Sequence, residues 1–292
     1  HIRPEDVAHL NAGTHPDPFS VLGRHVFDGV SYVTALDQGA AKLDALCAGH
    51  TYPLDRVDGI IFSGPVPGAE PYVLKGSGAH GSEWTYGDAY AFGPAISELD
   101  EYLLGEGSHN QLWRALGAHV TDLSGTKGTI FAVWAPNARR VSVVGDFNAW
   151  DGRRNVMRKR GETGVWEIFI PDLGAGAAYK YELQDGNGHL LPQKADPVGF
   201  GAEHPPKTAS IIRDLSKYKW QDRDWIKARG KRQRIDQPIS IYEVHLGSWR
   251  RKYDDGGRPL SYIELAADLV GYVKYMGFTH IELLPVSEFP FD

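Results

Sequence analysis

The sequence predicts a multidomain protein in which two immunoglobulin-like β-sandwiches precede the first β-α-β unit of a (β/α)8 barrel. Its 292 residues exceed the length of one ordinary domain. Two stretches contain short apolar runs separated by Gly, Pro and Asp, a spacing that is typical of β-sandwiches. Residues 238–292 instead combine an apolar strand, a capped amphipathic helix and a second apolar strand.

The first sandwich, with a helical connector at its end, is predicted over residues 1–117. Runs such as SYVTAL and GIIFSG have the length and composition of strands. Around residues 97–117, Ser108 with Gln111 fits a capping box, and Gly117 fits the end of a short helix. We therefore expect helices between the two sandwiches.

The second sandwich is predicted over residues 118–213. Its strand-like runs include TIFAVWAP, GVWEIFIP and AAYKYEL, and turn sequences such as Asp185-Gly186 separate them. A basic run, which comprises Arg153, Arg154, Arg158, Lys159 and Arg160, is expected to be a solvated hairpin face. Both sandwich stretches run from a strand through a Pro turn, a Tyr-containing strand and a Gly-rich turn to Asp and Phe-Gly. This shared order indicates a duplicated module.

The highly charged stretch 214–237 is predicted to be a linker. Residues 238–292 are predicted to be the start of a larger α/β domain. Ser261 with Glu264 forms a capping box, and Gly277 is placed to end the helix. One apolar stripe is predicted on this helix: Ile263, Leu265, Ala266, Leu269, Val273 and Met276. A β-α-β unit needs neighbouring strands and cover on both faces.

Two architectures remain open for that domain, a Rossmann-type sheet and a (β/α)8 barrel. The first turn, HLGSWRR, lacks G-x-G-x-x-G, so it does not favour dinucleotide binding. Residues 247–260 form a long connection from the first strand to its helix, and barrels build active sites from such loops. The barrel is therefore the favoured interpretation.

Composition excludes several classes of function. The formal net charge of -6 disfavours nucleic acid and anionic membrane surfaces as partners. No apolar stretch approaches the length of a membrane span. Cys47 is the only cysteine, which suggests a cytoplasmic protein. The histidines have no metal-ligand spacing, and no cofactor motif is present, so we expect neither a metal nor a cofactor.

Aromatic residues are the main binding candidates from the residues alone. GDFNAWDG puts Phe147 and Trp150 in a turn after a strand, where an exposed Trp can stack on a sugar ring and a buried Trp packs the sandwich. Lys180 alternates with Tyr179 and Tyr181, so it is predicted to face away from them. No pair of carboxylates makes a convincing acid and base for glycoside chemistry.

Several motifs resemble known families along the whole chain. WAPNARRVSVVGDFNAWDG with GVWEIFIPDLGAGAAYKYELQDGNG resembles the carbohydrate-binding-module sandwich of glycogen-branching and debranching enzymes. PISIYEVHLGSWRRK and GFTHIELLPVSEFPFD resemble the opening of the catalytic barrel of the α-amylase superfamily. HPDPFSVLGRH resembles the amino-terminal domain of bacterial glycogen-branching enzymes. The combination favours a branching enzyme of this superfamily over a debranching enzyme or a non-catalytic glucan-binding protein.

The resemblance implies cleavage of an α-1,4 bond in a glucan and transfer of the segment to a 6-hydroxyl, through a covalent glycosyl-enzyme. Such retaining chemistry uses an Asp nucleophile and a Glu acid/base. The family carries its catalytic carboxylates on later barrel strands, so they are expected beyond Asp292 and this segment alone is expected to be inactive. In the binding sandwich, the resemblance implies that α-glucan contacts Trp150, Asn148 and Lys180.

Two further expectations follow from the resemblance. Related sandwiches carry a second stacking Trp where this sequence has His189 and Leu190, so the sandwich either binds glucan or serves to pack against the barrel. In the barrel segment, the cleft-side loop candidates after the two strands are His245, Trp249, Pro285 and Glu288.

Overall fold

The computed structural model describes residues 2–286, and the chain separates into two compact units, His1–Leu215 and Ser216–Asp292. The first unit contains two β-sandwiches and the helices between them. The second contains a charged helix and a β-α-β unit. The separation falls inside the linker predicted over 214–237. The predicted boundary between the sandwiches stays a prediction, because both lie in one compact unit.

The first sandwich is built from seven antiparallel strands in the order β1-β2-β5-β4-β3-β6-β7. The strands are β1 Gly23–Phe27, β2 Val30–Leu36, β3 Lys42–Cys47, β4 His50–Asp58, β5 Ile61–Pro65, β6 Tyr72–Ser77 and β7 Glu83–Gly87. A register shift between Arg56 and Asp58 bends β4, which pairs with β5 and with β3. The inward-facing residues of these strands form one buried core, which includes Val33 of β2, Leu43 of β3 and Phe62 of β5.

A helix covers the outer face of this sandwich. Helix α1, Pro4–Ala12, begins with Pro at its first position and ends at Gly13, which has a φ of 65°. Its Val7 and Leu10 pack against Ile61 of β5 in a second buried cluster. Both faces of β5 are therefore buried.

Two helices connect the sandwiches, as predicted, but they begin and end at other residues. Helix α2 spans Glu98–Glu106, and Ser97 caps it by accepting a hydrogen bond from the Asp100 amide at 3.1 Å. Helix α3 spans Leu112–Ala115 and has no side-chain cap. The predicted Ser108 capping box is wrong, because the Ser108 amide donates to the Leu103 carbonyl and so closes the end of α2.

The second sandwich has two antiparallel sheets, in the orders β11-β12-β9-β8 and β10-β13-β14. Its strands are β8 Gly117–Leu123, β9 Thr126–Trp134, β10 Arg140–Gly145, β11 Arg158–Arg160, β12 Val165–Pro171, β13 Ala178–Gln184 and β14 Ser210–Ile211. Gly117 begins β8 and does not end a helix as predicted. Phe131, Val143, Ile168 and Tyr179 lie in the core between the sheets.

The strand order agrees with the predicted duplication. In the first sandwich β1-β2-β5-β4 are neighbours, and β8-β9-β12-β11 are neighbours in the second; β3 pairs with β6 as β10 pairs with β13. A buried hydrogen bond is also repeated, from Tyr72 to Asp88 at 2.6 Å and from Tyr179 to Asp196 at 2.7 Å. Both aspartates accept a further bond from the amide two residues later.

Part of the predicted basic run is buried and not solvated as predicted. Glu167 is fully buried on β12 and accepts hydrogen bonds from the amides of Ala95 and Ile96 at 2.5–3.1 Å. Arg160, also buried, donates to this carboxylate at 3.0 Å, and Arg158 lies 3.4 Å from it. A buried charge needs such partners, so part of the basic run neutralises Glu167 beneath the connector.

In the second unit, strands β15 Ile241–Val244 and β18 His280–Leu283 are parallel neighbours. The elements before and between them are α4 Arg223–Arg232, α5 Leu246–Trp249, β16 Arg251–Lys252, β17 Arg258–Pro259 and α6 Tyr262–Tyr275. Helix α4 lies in the predicted linker and buries none of its residues. The β-α-β unit is as predicted, whereas its place in a barrel remains a prediction.

Helix α6 begins and ends as the sequence predicts. Ser261 and Glu264 form the capping box, and Gly277 follows the helix with a φ of 81°. The buried side of α6 is narrower than the predicted stripe and consists of Leu265, Leu269 and Val273. The other predicted members, Ile263, Ala266 and Met276, are exposed. Ile263 is about 200° around the helix from Leu265, so it cannot share that face. Within the described residues, no helix is long and apolar enough to cross a membrane.

Candidate functional site

The turn that joins β10 to β11 carries two of the three predicted glucan-binding residues. Trp150 is half-buried and has a φ of 57°, a conformation that non-glycine residues rarely adopt. Its amide donates to the Gly145 carbonyl at 2.9 Å, and its indole Nε1 donates to Asp146 Oδ1 at 2.7 Å. The indole is therefore held in one orientation while part of its surface remains accessible.

Asn148 has a different position from that expected of a sugar-binding side chain. It is 1% exposed, and its Oδ1 accepts a hydrogen bond from the Gly145 amide at 3.0 Å. Its Nδ2 donates to the Val143 carbonyl at 2.9 Å and to Asn155 Oδ1 at 2.8 Å. These bonds hold the turn, so Asn148 shapes the surface that presents Trp150.

Lys180 faces away from the core, as the alternation along β13 predicts. Tyr179 and Tyr181 on either side are buried and donate their hydroxyls to Asp196, whereas Lys180 is half-buried and its Nζ donates to Thr208 Oγ1 at 2.8 Å. Val144, next to the turn, is its neighbour on β10. Lys180 therefore lies at the end of the sheet from which the turn leaves.

The turn crosses the same face of the sheet as Lys180. Gly152 lies so close to the Glu182 carboxylate that a side-chain carbon at position 152 would collide with it. Because residues two apart on a strand share a face, Glu182 and Lys180 point to the same side of β13. Trp150 and Lys180 therefore belong to one surface of the second sandwich.

Neither a Trp nor a Tyr stands where a second sugar-stacking platform is expected. His189 is exposed, and its Nδ1 lies 3.3 Å from Asp185 Oδ2. Leu190 is 61% exposed and pairs with Gln184 at the edge of the sheet. A sugar at this surface would therefore have one indole platform and not two.

The structure describes three of the four residues that were predicted to lie in the loops after β15 and β18. His245 is exposed, and its Nδ1 lies 2.9 Å from Ser248 Oγ. Trp249 is half-buried, donates to the Tyr242 hydroxyl at 3.0 Å and packs edge-on against Tyr272. Pro285 is exposed after β18, and Glu288 lies outside the described residues. Within residues 2–286, no group of three or more metal-ligating side chains is present.

The sequence did not predict a cleft between the two sandwiches, which has a volume of about 660 Å³. Its first-sandwich wall contains Trp84 and Tyr86, which both donate to the buried carboxylate of Asp37, at 3.0 and 2.9 Å. Its second-sandwich wall includes Phe147 and Arg154. Asp37 follows β2 and Trp84 lies on β7, so no local pattern in the sequence brings them together. The available signal was the spacing of Trp84 and Tyr86, which places both aromatic residues on one face of β7.

Two family models match the chain. The family described as "alpha-1,4-glucan branching enzyme GlgB, N-terminal domain" matches residues 3–90. The family described as "Carbohydrate-binding module 48 (Isoamylase N-terminal domain)" matches residues 115–199, which include the Trp150 turn and Lys180.

Curated relatives match the chain over its length. A protein of Roseobacter denitrificans named 1,4-alpha-glucan branching enzyme GlgB is 55% identical over 100% of this chain and 41% of its own length. A protein of the same name from Rubrobacter xylanophilus is 52% identical over 99% of this chain and 40% of its own. The chain thus spans about 40% of the length of these relatives. The resemblance to the amino-terminal portion of bacterial glycogen-branching enzymes is confirmed.

Among solved structures, the catalytic module of the glycogen-degrading pneumococcal virulence factor SpuA aligns with a TM-score of 0.46 and 22% identity. The alignment covers 60% of this chain and 27% of that one. Similarity of this size is too low to support an argument about function.

Proposed function

We propose that this chain is the amino-terminal portion of a 1,4-α-glucan branching enzyme of glycogen biosynthesis. The whole protein would cleave an α-1,4 bond, hold the segment as a covalent glycosyl-enzyme and transfer it to a 6-hydroxyl to form an α-1,6 branch. The observation that carries the proposal is the match to two proteins of that name over 99–100% of this chain. A cytoplasmic location is part of the proposal.

The second unit is proposed to open the catalytic (β/α)8 barrel. Its β15-α6-β18 unit has the parallel strand pair from which such barrels are built. His245 and Trp249 follow the carboxyl end of β15, the side on which barrel enzymes place their active sites. The catalytic carboxylates are proposed to lie on later barrel strands outside this chain.

The second sandwich is proposed to hold α-glucan at Trp150 and Lys180. The immobilised indole offers one stacking face, and the Lys180 ammonium lies on the same surface as a donor for sugar hydroxyls. Asn148 is proposed to support this site through the turn.

The catalytic part of the proposal is tested by the iodine absorbance of amylose. We expect the chain 1–292 to produce no change, whereas a protein extended to the full length of the relatives should lower the absorbance as branches form. A full-length protein that only shortens amylose would indicate a hydrolase, and one without turnover would indicate a glucan-binding protein.

The binding part is tested by affinity electrophoresis of the full-length protein in gels that contain glycogen. Trp150→Ala should weaken retardation about tenfold in apparent Kd, since a buried aromatic contact carries a large share of binding energy. Trp113→Ala is the matched control, because Trp113 is 50% exposed in the connector, outside the proposed site. Equal retardation of both variants would remove Trp150 from the site.

A further inference from the structure

The cleft between the two sandwiches has the size and form of a ligand site. Its volume of about 660 Å³ lies within the range of about 300–1,000 Å³ that is typical of small-molecule sites. Both walls belong to the compact unit His1–Leu215. The cleft is separate from the outer surface of Trp150 and Lys180, neither of which lines it.

The wall from the first sandwich is a fixed aromatic surface. Asp37 is 2% exposed and is itself held by the amides of Gly39 and Ala40 at 2.9 and 3.0 Å. Its other oxygen accepts the Trp84 indole N–H and the Tyr86 hydroxyl. The polar atoms of both rings are therefore satisfied, and both side chains are half-buried with their remaining surface available to a ligand.

Glycine on the neighbouring strand makes this arrangement possible. Three ring atoms of Trp84 lie over Gly76 of β6, where any side-chain carbon would collide with them. Because one side of the indole rests on the strand backbone, the ring cannot rotate inward. The aromatic wall is thus preformed, which lowers the entropic cost of binding.

The wall from the second sandwich supplies planar hydrogen-bonding groups. Within the described part of the chain, the Arg154 guanidinium makes no hydrogen bond or ion pair; it lies 6.0 Å from the centre of the Tyr86 ring. Asn155 is half-buried, and its Oδ1 accepts from Asn148, which leaves its amide hydrogens directed elsewhere. Phe147, from the same turn as Trp150, lines the cleft beside them.

These groups fit a neutral polyhydroxylated ring better than an anion. Fixed aromatic faces match the apolar face of a pyranose, while guanidinium and carboxamide groups donate to its hydroxyls. Asp37, Asp88 and Asp172 also line the cleft, and the Arg154 guanidinium does not offset three carboxyl groups. A phosphate or acidic peptide would therefore meet net repulsion.

We propose that this cleft is a second α-glucan site, distinct from the Trp150 surface. The inference rests on the proposed function, which supplies α-glucan as the substrate class. The two sites lie on either side of one turn, since Phe147 and Ala149 line the cleft and Trp150 belongs to the outer surface. The cleft would hold a glucan segment against the first sandwich.

The test is isothermal titration of the full-length protein with maltoheptaose, in a Trp150→Ala background that removes the outer site. Arg154→Met should weaken the remaining binding about tenfold, because a hydrogen bond from a charged donor is lost. Since this guanidinium makes no hydrogen bond or ion pair within residues 2–286, the variant should keep the wild-type Tm. Arg139→Met, an exposed arginine of the same sandwich outside the cleft, should leave the affinity unchanged.

The outcomes separate the two proposals. If Arg154→Met and Trp84→Phe both bind maltoheptaose like the Trp150→Ala protein, or if that protein binds none, the cleft is not a glucan site. Branching of amylose by the same preparations reports on the proposed function independently, because it depends on the barrel. A protein that branches amylose but shows no cleft binding would overturn this inference alone.

Discussion

The two sandwiches share their strand order and their buried tyrosine–aspartate bonds, yet they differ at the turn after the equivalent strands β3 and β10. In the first sandwich, Cys47 pairs with His50, so the connection is the tight turn Ala48-Gly49. In the second, the chain leaves β10 at Gly145 and reaches β11 only at Arg158. That longer connection carries Trp150 and the Asn148 bonds that hold it.

A second difference lies at equivalent positions on the outer sheet face. Ser63 in the first sandwich and Glu167 in the second occupy the same place relative to their neighbouring strands. Ser63 and Thr34 form a neutral hydroxyl pair at 2.9 Å, whereas Glu167 is a buried charge held by Arg158 and Arg160. The comparison shows that the two sandwiches share a buried frame and differ in a turn and in a buried polar group, which in the second sandwich hold Trp150 and the connector.

The largest expected effect concerns this buried charge. Glu167→Ala should lower the free energy of unfolding by about 3 kcal/mol, because it leaves the half-buried Arg158 without its carboxylate and the buried Arg160 with Glu101 alone. Ser63→Ala should cost about 1 kcal/mol, as loss of a neutral hydrogen bond does. Urea unfolding followed by fluorescence measures both. If Ser63→Ala proves the more costly change, the charged network does not stabilise the connector.

The next effect compares the repeated aspartates. Asp196 accepts two tyrosine hydroxyls and one amide, whereas Asp88 accepts one hydroxyl and one amide. We expect Asp196→Ala to cost about 3 kcal/mol and Asp88→Ala about 2 kcal/mol, since each leaves buried donors unsatisfied. Equal costs, measured by the same urea experiment, would mean that the second hydroxyl bond adds nothing.

The long turn should be sensitive to Asn148. Asn148→Ala removes three hydrogen bonds within the turn, so we expect a loss of about 2 kcal/mol and weaker retardation by glycogen. The control is Ala48→Gly in the short turn, where φ is 50°; it should leave stability unchanged or slightly higher. A variant with normal glycogen binding would show that the Trp150 platform does not depend on Asn148.

The smallest effect is a shared pH dependence. Burial raises the pKa of the Asp88 and Asp196 carboxyls above their ordinary value. The folded state therefore binds their protons more tightly, and their contribution to stability falls as pH rises from the ordinary pKa to the raised one. Replacing each aspartate by Asn should flatten this part of the stability curve, which lies above the ordinary pKa of ~3.9.

Other carboxyls oppose this trend, so each variant is compared with the parent at every pH. Hydrogen bonds from Ser97 and His109 lower the pKa of Asp100, whose contribution to stability is lost as pH falls. Carbon NMR of the carboxyls gives the direct check: an Asp88 or Asp196 resonance that titrates below the ordinary pKa would contradict the burial argument.

Local patterns were sufficient to predict many elements of the fold. Strand alternation gave the outward position of Lys180, and the Ser261–Glu264 spacing located the start of α6. The capping box predicted at Ser108 was wrong because Ser97 with Asp100 offers an equally local cap eleven positions earlier. Only the packing of α2 on the second sandwich decides between the two caps.

Features that depend on distant residues could not be predicted in this way. The basic run looked solvated because its partner, Glu167, lies on a separate strand and is recognisable only as a single carboxylate within an apolar run. Asn148 looked like a surface residue because its bonds to Val143 and Asn155 appear only once the turn is folded. The cleft requires both sandwiches at once.

Hydrogen exchange of the full-length protein with and without maltoheptaose tests the central claim most directly. If the second sandwich binds glucan through its long turn, amides over 146–155 should exchange more slowly with the sugar, while those of the equivalent turn around Ala48-Gly49 should not change. Protection of neither turn, or of the short turn alone, would contradict the account.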